Sequence, residues 1–300
     1  MNFTNRRRGI FEYLRKRIAR RFLRNISREH IQKKDQLVVF SFDFISQFIA
    51  IDGRFENHEL SLIEKIFKGK LDSKISLDIG SNIGNHTVAL SKFSKMVYAF
   101  EPNPYVFDVL KLNIQNLKNV RGFNFGVSNF NQDIIAKVPR LNCGGGSTSL
   151  DAKNTKANHF YETLFKLKAL DQFRLLSNKD IGLIKIDVEG HELQALKGMK
   201  ILLKKNKPVI LFEQNRGILR QTSAEVEFMK SIGYKFLYEF VEVERWITTK
   251  NMPKTFESIF RFLEVVIFGE PSGELKLKQI QALDKKSYDM LIFSFQPLER

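Results

Sequence analysis

Four stretches of the chain carry residues whose types and spacing could do chemistry. The first is Leu77-Asp78-Ile79-Gly80-Ser81-Asn82-Ile83-Gly84-Asn85, an apolar run that ends in an acid and is followed by two glycines four residues apart. It reads as a buried strand, a tight turn and a helix start, the local arrangement that holds nucleotide-type ligands at a strand tip. The second, Phe100-Glu101-Pro102-Asn103, ends another apolar run in an acid. A carboxylate at that tip can accept hydrogen bonds from both hydroxyls of a ribose, and would repel a phosphorylated one. The third is Asp187-Val188-Glu189-Gly190-His191-Glu192, directly after Ile184-Lys185-Ile186, and the fourth is Glu213 at the end of Pro208–Phe212.

A dinucleotide fingerprint would need glycines at 80, 82 and 85. Asn82 and Asn85 stand at two of these and the second glycine is Gly84, so the close backbone approach a pyrophosphate demands is disfavoured. S-adenosylmethionine has no phosphates, and Gly80-x-Asn82-x-Gly84 can still let its amino-acid part and ribose lie across the strand ends. Asp78 and Glu101 are about one βαβ step apart, which puts them on consecutive strand tips. Singly, Asp78 reads as a turn cap and Glu101 as a surface charge; together they favour a cofactor site.

In the third stretch, Asp187 and Glu189 alternate, so in extended chain both would face one cleft, and Gly190 allows a sharp turn into the next helix. Asp187, Glu189 and then His191 are the candidates for a general base acting on an attacking hydroxyl. Lys185 would lower a neighbouring carboxyl's pKa if it faces the same side. Glu192, and less readily Glu189, reads as well as a helix N-terminal charge. Asp187, Glu189 and Glu213 offer oxygen ligands to a divalent cation, but no metal is expected, and the five histidines show no zinc spacing.

These tips need a scaffold. Apolar runs at Ile75–Ile79, Met96–Phe100, Val120–Phe125, Ile181–Ile186 and Pro208–Phe212 alternate with helical patterns near 83–94, 104–117 and 190–205. Strand–helix alternation implies a parallel sheet with right-handed crossovers. Asn103-Pro104 marks a helix start, and Thr222 with Glu225 a possible capping box. Tyr234–Val241 and Asp289–Phe295 could close the sheet with an antiparallel edge. Leu37–Ala50 reads as extended and Phe55–Phe67 as helix. The segment 126–170 reads as irregular, and its Gly144–Gly146 and Ser147–Ser149 run suggests a lid or substrate loop.

The three motifs, with the third running on through Leu196-Lys197-Gly198-Met199, resemble the FkbM-type S-adenosylmethionine-dependent methyltransferases over roughly residues 54–240. The resemblance implies an α/β, Rossmann-like class I sheet and methyl transfer to a hydroxyl of a glycan, glycolipid or related metabolite. It implies S-adenosyl-L-methionine held by Asp78, Gly80, Asn82, Gly84, Asn85, Glu101, Pro102 and Asp187, with Gly126, Val127 and Ser128 lining an adenine pocket. An RNA or protein methyltransferase is the alternative, and a non-catalytic membrane-associated binding protein another. Against base-amine methylation, no Asn-Pro-Pro-aromatic motif follows the fourth strand.

The charge bears on location. The chain has 300 residues and a formal charge of +16, from 49 Lys+Arg and 33 Asp+Glu. Residues 1–34 hold 12 basic and 2 acidic side chains, so +10 of the excess sits in an arm and the rest is nearly balanced. In that arm Ile10, Leu14, Ile18, Phe22 and Ile26 recur every four residues among arginines, a basic amphipathic helix suited to anionic lipid, to its own domain, or, less readily, to nucleic acid. The expected organisation is this arm followed by a single methyltransferase domain over 35–300. No secretory signal or spanning helix is read: Leu37–Ile51 is too short and Ser258–Phe268 carries Arg261 and Glu264. One cysteine, Cys143, suits a reducing compartment and reads as a loop or core thiol. The expectation is cytoplasmic, with the inner face of the membrane as the arm's resting place.

Overall fold

The computed structural model describes residues 10–31, 36–140, 160–213, 224–243, 274–284, 288 and 290–298. Cys143, the glycine–serine run, Thr222 and the apolar run 258–268 lie outside these residues. Helix α1 spans Ile10–Ile31, followed by α2 at Phe44–Asp52 and α3 at Asn57–Phe67. The core then alternates β1 (Ile75–Ile79), α4 (Asn85–Ser91), β2 (Met96–Phe100), α5 (Pro104–Ile114) and β3 (Val120–Phe123). A small group, β4 (Gly126–Val127), β5 (Gln132–Pro139) and β6 (Phe160–Lys168), precedes β7 (Ile181–Ile186), α6 (Glu192–Lys197), α7 (Lys200–Asn206) and β8 (Val209–Glu213). Helix α8 (Ala224–Ser231) and strands β9 (Phe236–Val243), β10 (Glu274–Ile280) and β11 (Met290–Ser294) complete the described chain.

The main sheet runs β10-β9-β11-β8-β7-β1-β2-β3. Strands β3 to β8 pair in parallel, and β11, β9 and β10 add an antiparallel edge. β1 and β7 are buried along their whole length because helices cover both faces, as parallel sheets require. From β1 the chain winds outward to β2 and β3 on one side and to β7 and β8 on the other. Their carboxyl ends therefore open beside a topological switch point, where ligands of such sheets bind.

Two expectations are corrected. Leu37–Ala50 is not extended throughout: α2 begins at Phe44 because the buried Asp43 caps it, accepting from Ser46 N–H at 3.1 Å and Ser46 Oγ at 3.0 Å. Gly53, at φ 84°, closes it in the left-handed region that glycine adopts freely. The segment 126–170 is not irregular in its described parts. β5 and β6 pair antiparallel, and β4 pairs parallel with β6, as a second, three-stranded sheet. Asn103 Nδ2 donates to the Tyr161 hydroxyl at 2.9 Å, and Tyr105 meets Tyr161 edge-on at 5.6 Å, so this small sheet leans on the start of α5.

Candidate active site

Three strand tips converge on one cleft, lined by Gly80, Asn82, Glu101, Pro102, Gly126, Val127, Asp187, Glu189 and His191 among the residues expected from sequence. Asn103 and Val188, within the motifs but not expected as ligands, also line it, as do Ile45, Phe165 and Leu167, whose local pattern does not mark them. The ladder continues past each strand end: Gly80 N–H donates to the Phe100 carbonyl at 3.0 Å and Asp187 N–H to the Ile79 carbonyl at 3.0 Å. Gly80, at φ 77°, is a contact glycine, since a Cβ there would lie 1.7 Å from the Asp187 carbonyl oxygen. Gly80→Ala is expected to destabilise the protein by roughly 2–4 kcal/mol. Urea unfolding measures this, and a parent-like midpoint would refute the tip-to-tip packing.

Glu101 is buried, with Oε2 accepting from Asn82 N–H at 3.0 Å and Oε1 from Asn103 N–H at 2.8 Å. Asn82 can aim its N–H there because it adopts φ 49°. Each carboxylate oxygen accepts about two hydrogen bonds, so the pair keeps capacity for ligand hydroxyls. Burial pushes the Glu101 carboxyl up to about 7, against the two backbone donors that pull it down.

Several expected ligands sit outside the cleft lining. Asp78 is fully buried beneath the turn, where Oδ2 accepts from the Thr87 hydroxyl. Its Oδ1 accepts no hydrogen bond among the described residues and faces Lys185 Nζ at 4.0 Å. Gly84, at φ 99°, leads into α4, and a Cβ there would press on Leu110 at 2.8 Å. Asn85 exchanges hydrogen bonds with the Phe55 backbone at 3.1 and 2.9 Å. These three fix the turn and do not line the cleft. Ser128 is fully buried just behind the cleft.

Lys185 faces the same side as Asp187 and donates to its Oδ2 at 3.1 Å. The lysine side chain is 3% exposed, which opposes its charge, but the surrounding carboxylates of Asp187, Asp78, Glu213 and Glu56 outweigh that and hold its pKa above the usual range. Burial raises the Asp187 carboxyl, yet Lys185's charge and the hydrogen bonds from Lys185 and Glu213 leave it below the ordinary carboxylate value. Glu213 moves the other way, to about 8, through burial and then Asp187's charge. Nearby, Glu56 Oε2 pairs with His86 Nε2 at 3.3 Å, both nearly enclosed, a contact no sequence spacing announced.

Glu189 reaches the cleft for a different reason from strand alternation. β7 ends at Ile186, and Glu189 at φ 46° with Gly190 at φ 93° forms a left-handed turn. Protein crowding, then the charges of Asp187 and Glu192, pushes Glu189 toward about 7. Its side chain lies exposed at the rim, where water tempers that shift. Glu192 is spoken for: its Oε1 accepts from Gly190 N–H at 2.8 Å at the start of α6.

His191 Nε2 lies 2.9 Å from Ser128 Oγ, and that hydroxyl donates to Asn129 Oδ1 at 3.2 Å. This network assigns the proton to Nε2 and leaves Nδ1 as an acceptor. Burial pushes His191 below its usual pKa, which keeps it neutral near pH 7. Ser128 is reached because Gly198 lets the α6–α7 junction come close; a Cβ on Gly198 would stand 1.8 Å from the Ser128 carbonyl oxygen. Among the described residues no group of three or more His, Cys, Asp or Glu is placed to hold a metal ion.

An open, mostly parallel sheet, a glycine turn after its first strand and an acidic tip on its second together define a Rossmann-like α/β fold with a nucleotide-type cleft. The methyltransferase FkbM domain model matches residues 78–252. The chain belongs to the FkbM methyltransferase family. It is 29% identical over 145 residues to the hexuronic acid methyltransferase AglP of Haloferax volcanii, a match covering 47% of this chain. The chain spans about half the length of that relative, 56% of it. Among solved structures, the FkbM methyltransferase of Methylobacillus flagellatus KT aligns with TM-score 0.40 and 14% identity, over 83% of this chain and 52% of that one. The precorrin-6y C5,15-methyltransferase of Geobacter metallireducens GS-15 aligns with TM-score 0.42 and 12% identity, over 87% and 94%.

Proposed function

We propose that this protein transfers a methyl group from S-adenosylmethionine to a hydroxyl of a sugar-type acceptor, in a glycan, glycolipid or related metabolite. The carrying observation is the convergence of the Gly80 turn, the buried Glu101 carboxyl and the Asp187 carboxylate on adjoining strand tips. The donor set fits: Glu101 has acceptor capacity for the ribose hydroxyls, Asp187 stays anionic for an ammonium, and Pro102, Gly126, Val127, Phe165 and Leu167 offer an apolar wall for a base. When bound, S-adenosylmethionine supplies an electrophilic methyl group. The chain's own task is to align an acceptor oxygen and take its proton.

Asp187, neutralised by Lys185 and held at low pKa, suits charge pairing better than proton removal. Glu189 and His191 suit the base role: one carboxyl titrating near neutrality at the rim, and one neutral imidazole with Nδ1 as its acceptor. The likeness to a hexuronic acid methyltransferase supports a sugar acceptor. Titration calorimetry with S-adenosylhomocysteine should show one site per chain, and labelled methyl should pass to uronate-containing glycans and not to ribosomal RNA. No binding of S-adenosylhomocysteine would sink the reading.

Residues 1–34 act, in this reading, as an arm on a single domain over 35–300, in the cytoplasm and on the inner face of an anionic membrane. In α1, Ile10, Ile18 and Phe22 are 69%, 68% and 62% exposed, and Lys16, Arg17, Arg20, Arg21, Arg24 and Arg28 together line one groove of the same helix. No described helix is long and apolar enough to cross a membrane; in this reading α1 lies in the interface.

A further inference from the structure

Helix α2 has two unlike faces. Ser46 and Ile49 are buried and Ile45 forms part of the cleft wall, so its inner face belongs to the fold and the site. Its outer face carries Phe44 at 60%, Phe48 at 42% and Ile51 at 50% exposure, with Phe42 at 45% just before the cap. Phe44, Phe48 and Ile51 are spaced i, i+4, i+7 and make one stripe. Phe44 and Phe48 stack edge-on at 4.9 Å, and Phe48 meets Phe55 at 6.0 Å, so the patch is an ordered aromatic cluster. The helix's one charged side chain is Asp52, at its last position.

Contiguous exposed aromatics on a helix mark a contact surface. The neighbouring helix indicates what covers this one. α1 touches α2, so the patch is flanked by the helix that presents Lys16 and the arginines beside its own exposed Ile10, Phe11, Ile18 and Phe22. Cationic side chains bordering aromatic and aliphatic ones are the complement of anionic head groups over hydrocarbon. A protein partner would need a matching acidic groove, whereas a bilayer supplies both chemistries over any area.

We propose that α2 is a second membrane-contact element, whose Phe42, Phe44, Phe48 and Ile51 enter the hydrocarbon boundary of an anionic bilayer and so hold the Ile45 wall of the cleft against the membrane. This rests on the peripheral-membrane part of the reading above and is independent of the methyl-transfer part. The acceptor hydroxyl is then met at the bilayer surface.

The test uses the full chain and vesicles of phosphatidylcholine with 30% phosphatidylglycerol, about a typical anionic content for such surfaces. The Phe44→Trp variant should show a blue-shifted indole emission on adding vesicles, beyond that of the parent with its single Trp246. A quencher placed high on the acyl chains should dim it. Phe44→Ser with Phe48→Ser should weaken vesicle binding about tenfold or more while leaving S-adenosylhomocysteine affinity as in the parent, which shows that the site is folded. Phe44→Ser alone, the more exposed position, should give a smaller loss in the same direction.

Parent protein that binds vesicles while the introduced indole keeps its aqueous emission would overturn the proposal, leaving α1 as the sole anchor. So would a blue shift that needs no vesicles and grows with protein concentration, which would assign the patch to a second copy of the chain. Failure of S-adenosylhomocysteine to bind would strike the methyltransferase reading alone.

Discussion

Replacing Glu101 with alanine is expected to weaken S-adenosylhomocysteine binding about 100-fold, equivalent to about 2.7 kcal/mol. Two ribose hydroxyls would lose a charged acceptor, and the Asn82 and Asn103 backbone N–H groups would lose theirs as well. The pH dependence is the sharper test. Burial raises Glu101 to about 7 in the folded protein, so it holds a proton at pH 6 that it gives up near pH 8. Hydroxyl donors favour the ionised form, so binding should tighten from pH 6 to pH 8 and release a proton at pH 6. Proton release appears as a dependence of the calorimetric heat on buffer ionisation enthalpy. Glu101→Gln should flatten the pH response. The sign for stability is opposite: a carboxyl whose folded pKa is raised binds more protons when folded, so its contribution falls as pH rises through about 7. Parent-like affinity and pH response in Glu101→Gln would remove Glu101 from the site.

Lys185→Met is expected to lower the melting temperature by roughly 6–12 °C, about 3 kcal/mol. The lysine is 2% exposed, and without it the carboxylates of Asp78 and Asp187 are left to each other across a buried space. Removing one member of a buried ionic group costs more than removing the group, because the remaining charge stays desolvated. Asp78→Asn in the Lys185→Met background should therefore recover part of the loss. Differential scanning calorimetry at pH 7 checks both. A second substitution that only adds to the damage would show that Lys185 serves packing and not charge balance.

The sheet was legible where burial on both faces leaves unbroken apolar runs. β1, β2 and β7 begin and end at the residues read from sequence, because apolar residues dominate them and the polar Ser76, Asp78 and Lys185 are buried inward. Asn103 was legible as a cap because its partner, Tyr105 N–H, is two residues away. α2 was not legible: a nine-residue segment apolar on both faces has no helical period, and Val38, Val39 and Phe40 favour extended chain. β5 and β6 were hidden for a related reason. Ile135 and Leu164 face solvent at 65% and 46%, which blurs the two-residue alternation. In the site, each acid's position on a tip was readable but its neighbours were not. That Asp78 lies under the turn beside Lys185 and that His191 meets Ser128 across 63 residues are products of the sheet order.

Gly80 and Gly198 each admit another segment's carbonyl where a methyl group would collide. Backbone meeting backbone thus fixes the Gly80 turn at the cleft and the junction behind it, where neither position admits a side chain. The β5–β6 hairpin is built differently: it is paired to itself and to the two residues of β4, yet it lends Phe165 and Leu167 to the cleft. Side chains along that hairpin can therefore change the cleft wall without disturbing those backbone contacts.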